Sequence, residues 1–306
     1  MFSVYFWGVR GSIACPGSDT VIYGGNTSCL EIRAGKKLVI VDLGTGVRSL
    51  GNRLLKQQSR NGSIDADVFI THTHWDHIMG FPMFGPIFMG ATTLRIRGPA
   101  NDKDVSLETV FSRQLSYDYW PVRLNELAAH IEFEHIDEKE INLGDGLIVT
   151  SKYLNHPIVT LGYRFEYEGK TIVTAYDTEP YGAGEGAGAE QVEAAREHNE
   201  RFLHFIRDAD VLVYDSMYTE REYLASKKGW GHSSFEEAIR SARRMGVKKL
   251  VCFHHDPGRT DRQLDVLGRR YRPAAAKPAR KGGPSGAIVE RPVSLIIARE
   301  GTIIRV

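Results

Sequence analysis

The stretch Thr71-His72-Thr73-His74-Trp75-Asp76-His77 follows directly on the apolar run Val68-Phe69-Ile70. An apolar run of this kind predicts a strand, and the polar residues begin where the strand ends. In an extended chain, residues two apart point to the same side, so His72 and His74 can grip one ion together. Asp76 and His77 fall in the turn that follows and can face a second ion. Imidazole and carboxylate donors suit zinc, with manganese or iron(II) as alternatives. A lone histidine at a strand end is usually structural. Four ligand-type residues within six positions are a far more specific signal.

Two ions need further donors, and other predicted strand ends supply them. His156 follows Tyr153-Leu154-Asn155, Asp177 follows the apolar run at 171–175, and His254 closes Leu250-Val251-Cys252-Phe253. A carboxylate such as Asp177 can bridge two cations, because each of its oxygens can bind one. His254 is followed by His255, so the sequence offers two adjacent imidazoles; His254 is taken as the ligand because it directly ends the strand.

The composition narrows the function classes. The chain has 306 residues, 42% apolar and 25% charged, and 39 Lys+Arg against 38 Asp+Glu. These values suit a soluble globular enzyme with a sizeable core. A protein gripping long nucleic acid through many phosphates usually carries a basic excess. Its absence favours a small substrate. Cys15, Cys29 and Cys252 form neither a CxxC nor a CxxxC pair, which argues against a disulfide framework and a thiolate zinc knuckle and for a cytoplasmic location. Cys252, inside an apolar run, reads as a core thiol. The first residues lack the pattern of a signal peptide. No apolar run reaches the length of a membrane span, so no membrane association is expected.

Along the chain, strands are expected at 2–9, 28–33, 37–42, 67–70, 94–98, 131–136, 147–154, 161–167, 170–175, 210–214 and 248–254. Helices are expected at about 47–58, 105–116, 190–207 and 219–227. A further helix, ending near Gly246, is preceded by Ser233 and Ser234, with Glu236 and Glu237 placed for a capping box. Each half reads as strands followed by helices with a polar cluster at strand ends, which suits two βα layers facing one cleft. A single domain over 1–306 is expected, with a flexible basic linker at 272–286 and a closing hairpin of 293–299 and 302–306. The GAGEGAG stretch at 182–188 lacks the spacing of a phosphate loop and reads as a flexible loop near Asp177. Tyr117, Tyr119 and Trp120 can stack on a base, pack in the core or form a dimer contact.

THTHWDH resembles the HxHxDH signature of the metallo-β-lactamase superfamily, and Asp42 before Gly44-Thr45-Gly46 resembles that family's early aspartate. The resemblance runs from about residue 2 to residue 265. It implies an α/β fold, the αββα sandwich, with two mixed sheets flanked by helices and the metal site at one edge. It also implies that His72, His74 and His156 bind one metal, that Asp76, His77 and His254 bind the other, and that Asp177 bridges them. Within the superfamily, Gly231-His232-Ser233-Ser234 followed by Glu237-Ala238 is similar to the phosphodiesterase branch, which includes cyclic-nucleotide phosphodiesterases and transfer-RNA 3′-processing nucleases. There the histidine lies near the phosphate and can protonate the leaving oxygen, the role implied for His232. Ser234 stands where threonine is usual, which keeps a hydroxyl.

These readings lead to a phosphodiesterase with two divalent ions, zinc first. It would hydrolyse a small phosphodiester, such as a cyclic nucleotide, by attack of metal-bound hydroxide on phosphorus. Asp76 would orient the nucleophile and His232 would act as general acid. A homodimer is expected from the branch. One alternative is a transfer-RNA 3′-processing endoribonuclease with RNA as partner, against which the charge balance and the lack of a long arm insertion count. Another is a non-catalytic metal-binding regulatory module, against which the full ligand set and His232 count.

Overall fold

The alternation expected of half-buried strands and the continuous apolar runs expected of central parallel ones both form sheets. The computed structural model describes residues 1–99, 105–184, 186–277 and 290–306. The chain divides into two compact units, each built on one seven-stranded mixed sheet. The first unit comprises 1–139, 256–261 and 298–305; the second comprises 140–255, 262–297 and Val306.

The first sheet contains β1 (Phe2–Gly8), β2 (Cys29–Ala34), β3 (Lys37–Val41), β4 (Ile64–Phe69), β5 (Thr92–Gly98), β6 (His130–His135) and β14 (Ile303–Arg305), in the order β14-β1-β2-β3-β4-β5-β6. The strands from β14 to β3 pair antiparallel, and those from β3 to β6 pair parallel. Helix α1 (Val47–Asn61) places Val47, Leu50 and Leu54 on one stripe, and a single turn, α2 (Trp75–Ile78), follows β4. That stripe packs with Ile40, Val68, Leu94 and Ile96 from the sheet, and with Leu107 and Phe111 from α3 (Leu107–Gln114). Phe111 is fully buried, with the ring of Phe81 at 4.8 Å and that of Phe133 at 5.5 Å. Trp120 packs against this core, whereas Tyr117 and Tyr119 are exposed, so the three aromatics do not form one patch. The ring of Tyr117 is covered by Arg123, and its hydroxyl donates to Glu126.

The second sheet contains β7 (Glu140–Asn142), β8 (Ile148–Leu154), β9 (Thr160–Tyr167), β10 (Lys170–Ala175), β11 (Val211–Asp215), β12 (Lys249–Phe253) and β13 (Ser294–Ile297), in the order β13-β12-β11-β10-β9-β8-β7. The strands from β10 to β13 pair parallel and those from β7 to β10 antiparallel. Every residue of β11, Val-Leu-Val-Tyr-Asp, is buried, as expected of a central parallel strand. The helices of this unit are α4 (Ala189–Ile206), α5 (Glu220–Glu222) continued by a π turn at Tyr223–Lys227, α6 (Phe235–Arg244) and α7 (Asp261–Ala275). Half of the expected capping box forms on α6: the Ser234 hydroxyl accepts from the Glu237 amide, while the Glu237 carboxylate takes Arg240 and Ser241 instead. Cys252 is a core thiol, its pKa pushed up to about 12 by burial.

Two expectations for the C-terminal region are corrected. The predicted hairpin does not form, because β13 pairs parallel with β12 in one sheet and β14 antiparallel with β1 in the other. The predicted linker does not begin at 272, because α7 continues through Pro273 to Ala275. The buried Arg243 guanidinium donates to the carbonyls of Ala274, Ala275 and Lys277, satisfying groups that the end of a helix leaves without helical donors. Residues 278–286 of the expected linker lie outside the described residues. Among the described residues, no helix is long and apolar enough to cross a membrane.

Phe111 fills space between α3 and the first sheet. Phe111→Ala is expected to destabilise the protein by about 3–5 kcal/mol. Urea unfolding with a midpoint unchanged from wild type would place Phe111 outside the load of this core.

Candidate metal centre and catalytic residues

In each unit the chemistry-bearing residues sit at the carboxyl ends of strands. In the first unit they follow β3 and β4, parallel neighbours. In the second they follow β8, β10, β11 and β12; two antiparallel pairings separate β8 from β10, so all four strands run the same way. The carboxyl edge of parallel strands is where α/β sheets usually carry their ligands.

The first cluster is organised by Asp42, which is fully buried just after β3. Its Oδ1 accepts from the Thr71 amide at 2.8 Å, and its Oδ2 lies 2.8 Å from His77 Nδ1. The Thr71 hydroxyl is within 3.1 Å of both oxygens. The carboxylate thereby holds both ends of the His loop. With the Nδ1 proton given to Asp42, Nε2 of His77 carries the lone pair and lies 3.2 Å from Asp76 Oδ2. The same oxygen is fixed from outside the loop: Asp76 Oδ2 accepts from the Ser12 amide at 2.7 Å. His72 Nδ1 is 3.0 Å from the Thr71 hydroxyl, and its Nε2 is 3.0 Å from His74 Nδ1. In this unit His72 thus lies beside His74, and Asp76 beside His77. His72, Asp76 and His77 are buried, while His74 and Trp75 are exposed. Gly44 lets the strands close here, since a Cβ on it would strike the Asp76 carbonyl.

The second cluster has Asp215 at its centre, a residue the sequence reading missed. Its Oδ2 accepts from the Asp177 amide at 3.0 Å and lies 2.8 Å from His232 Nδ1. Its Oδ1 accepts from the Met217 and Ser233 amides. The available signal was the pattern of β11 itself, an apolar run closed by aspartate, as in Val39-Ile40-Val41-Asp42. His254 Nε2 is 3.3 Å from Asp177 Oδ2, and the His254 ring stacks on that of His232 at 5.0 Å. Of the two adjacent histidines, His254 is the one turned to Asp177. Donor atoms of His156, Asp177 and His232 lie within 4.8 Å of one another, as do those of Asp215, His232 and His254. His156 Nδ1 donates to the Gly231 carbonyl at 3.0 Å, which puts the lone pair of this imidazole on Nε2. Gly231 adopts φ +79°, and a Cβ on it would collide with His156 Nδ1.

The donor sets fit divalent metal. Two ligands of one tetrahedral ion at a metal–nitrogen distance near 2.0–2.1 Å lie about 3.3 Å apart. The His72–His74, Asp76–His77 and Asp177–His254 atom pairs are at 3.0, 3.2 and 3.3 Å. Asp42, Asp177 and His254 also hold φ of +63°, +57° and +60°, the left-handed region that such residues seldom adopt. Strain of this kind concentrates at functional sites, where surrounding contacts enforce it.

The comparisons with known proteins agree with this architecture. A family model described as the β-lactamase superfamily domain matches residues 37–255. The chain belongs to the metallo-β-lactamase superfamily and is a metal-dependent hydrolase of that fold. It is similar to ribonuclease BN of Cronobacter sakazakii, 27% identical over 253 residues that cover 71% of this chain and 78% of the relative. Among solved structures, its fold is similar to the metallo-β-lactamase fold protein YhfI from Bacillus subtilis (TM-score 0.63, 18% identity, 99% of this chain and 98% of that one). It is also similar to the short form of human tRNase Z (TM-score 0.60, 18% identity, 99% and 98%).

Removing the Asp42 carboxylate frees the loop carrying the first donors. Asp42→Ala is expected to weaken divalent-metal affinity by about 10–100-fold, the usual effect of losing a ligand's hydrogen-bonded support. Competition with a chromophoric chelator measures this, and wild-type affinity in a variant with a native circular dichroism spectrum would exclude the role.

Proposed function

We propose that this chain is a phosphodiesterase using two divalent metal ions, zinc first, and that its substrate is RNA, cleaved at the 3′ side of a precursor transfer RNA. The observation carrying the phosphodiesterase reading is His232, held through Nδ1 by Asp215 and lying beside Asp177. The substrate rests on the relatives, whose names are ribonuclease BN, ribonuclease Z and tRNase Z. A cyclic nucleotide becomes the second reading, favoured by the net charge of +1. That reverses the order expected from composition. Net charge is a sum over the whole chain, and a local basic surface is compatible with a sum near zero.

By the family resemblance, His72, His74 and His156 would hold one ion and Asp76, His77 and His254 the other, with Asp177 contributing to both. When bound, the two ions supply an activated water and neutralise charge on the phosphate. The protein's own groups do the rest. Asp42 and the Gly231 carbonyl fix the tautomers of His77 and His156. Asp76 orients the attacking water. His232, held through Nδ1 by Asp215, would act as the imidazolium, giving its Nε2 proton to the leaving oxygen and becoming neutral.

The test of this function is hydrolysis by metal-loaded protein of a precursor transfer RNA beside 3′,5′- and 2′,3′-cyclic mononucleotides, with and without chelator. The expected result is 3′ cleavage of the precursor, abolished by chelator and restored by Zn²⁺ or Mn²⁺. Turnover of a cyclic nucleotide with an intact precursor would overturn the choice of substrate. Chelator-resistant activity would overturn the metal.

A separate expectation concerns His232. His232→Ala should slow cleavage of a ribose-leaving diester by about 10²–10⁴-fold, the usual contribution of a general acid. The loss should shrink greatly with p-nitrophenolate, which leaves as an anion without a proton. Comparing kcat for the two diesters checks this, and equal losses would make His232 a binding residue.

A further inference from the structure

Trp230 stands two residues before His232 and is 55% exposed. The indole thus leaves a large, flat apolar surface in solvent. The segment displaying it is firmly held. The Glu179 carboxylate, itself buried, accepts from the Tyr223 hydroxyl at 3.0 Å, the Gly229 amide at 3.0 Å and the Gly231 amide at 3.3 Å. Trp230 is flanked by Gly229 and Gly231, both at positive φ (+81° and +79°), a conformation that costs other residues free energy. An anchored turn built this way fixes where the indole stands.

One face of the indole is occupied. Lys227 Nζ lies over it, 3.6 Å from the ring centroid, and also lies 5.4 Å from the ring of Tyr218. The Tyr218 ring in turn is 6.2 Å from that of His232. A lysine held over an aromatic ring places a cation beside a flat apolar surface, the combination that binds a nucleotide's phosphate and base together. The Cα atoms of Trp230 and His232 can be no more than about 7.6 Å apart, two trans peptide steps.

We propose that Trp230 and Lys227 form a nucleotide subsite, in which a nucleobase adjoining the scissile phosphate stacks on the indole while the ammonium lies near a phosphate oxygen. This deepens the phosphodiesterase reading and rests on it for the position of the scissile bond. The nucleobase is common to an RNA and a cyclic nucleotide. Stacking acts equally on bound substrate and transition state, so the effect belongs in KM and leaves kcat little changed.

The experiment has a binding arm and a turnover arm. In calorimetric titration, Trp230→Ala is expected to raise the Kd for adenosine 5′-monophosphate by about 5- to 30-fold, with Trp230→Phe recovering most of the affinity. The Kd for ribose 5-phosphate, which has no base, should shift less than twofold. In turnover, Trp230→Ala should raise KM for thymidine 5′-(p-nitrophenyl phosphate) at least fivefold more than for methyl p-nitrophenyl phosphate. Leu224→Ala, equally exposed on the same segment, serves as the control. Equal shifts for base-bearing and base-free ligands, or no shift for either, would overturn the subsite. Wild-type protein that hydrolyses neither diester would overturn the proposed function, while the binding arm would still decide the subsite. Precursor transfer RNA and cyclic nucleotides, run with the same variants, distinguish the two sources of the base.

Discussion

The hydrogen bonds gathered by the Asp42 carboxylate govern the candidate donor cluster of the first unit. Taking a carboxylate fully out of water costs several kcal/mol, and the loss is offset only if its oxygens are well supplied with donors. Asp42 has the Thr71 amide, the Thr71 hydroxyl and His77 Nδ1. One side chain thereby joins the end of β3 to both ends of the loop after β4. The same contact that stabilises the buried charge sets the tautomer of His77, so local folding and metal-binding chemistry are one constraint.

The second unit repeats the device with a different output. Asp215 closes β11 as Asp42 follows β3, and four donors surround it: the amides of Asp177, Met217 and Ser233, and His232 Nδ1. Here the fixed histidine is the candidate proton donor, and the fixed amide belongs to the candidate bridging ligand. Both units hold strand-end residues, Asp42 in one and Asp177 and His254 in the other, in left-handed backbone conformations, and the hydrogen bonds of Asp42 and the Asp177 amide help to keep two of them there. Glu179 extends the arrangement outward, holding through Gly229 and Gly231 the turn that leads into His232.

This organisation separates what is rigid from what can vary. The carboxylates and glycines near the ligands tolerate little change, because a Cβ at Gly44 or Gly231 meets backbone or an imidazole ring. The exposed neighbours, Trp75 in the first unit and Trp230 in the second, carry no such restriction. Proteins of one fold take different substrates through such exposed positions near a fixed centre.

The sequence by itself determined the fold class, most strand positions and the strand-end placement of the candidate donors, Asp215 excepted. Each of those follows from local pattern: an apolar run of strand length, then a ligand-type residue where the run ends. His72, His74, Asp76 and His77 were legible because neighbours in sequence are neighbours at a strand end, and His254 because it directly closes β12. Asp215 closes its strand in the same way and was overlooked. Its role as the acceptor of His232 depends on residues 17 and 38 positions away, which no local pattern records. The C-terminal strands were misjudged for a related reason. Residues 294–297 and 303–305 look like a hairpin locally, but each finds a better partner far away in sequence, β12 for one and β1 for the other. Likewise α7 runs past Pro273 because Arg243, remote in the chain, supplies donors for its last carbonyls. Local sequence sets which conformation a segment can adopt; tertiary structure decides which distant groups satisfy its hydrogen bonds, and at these places that choice fixed the result.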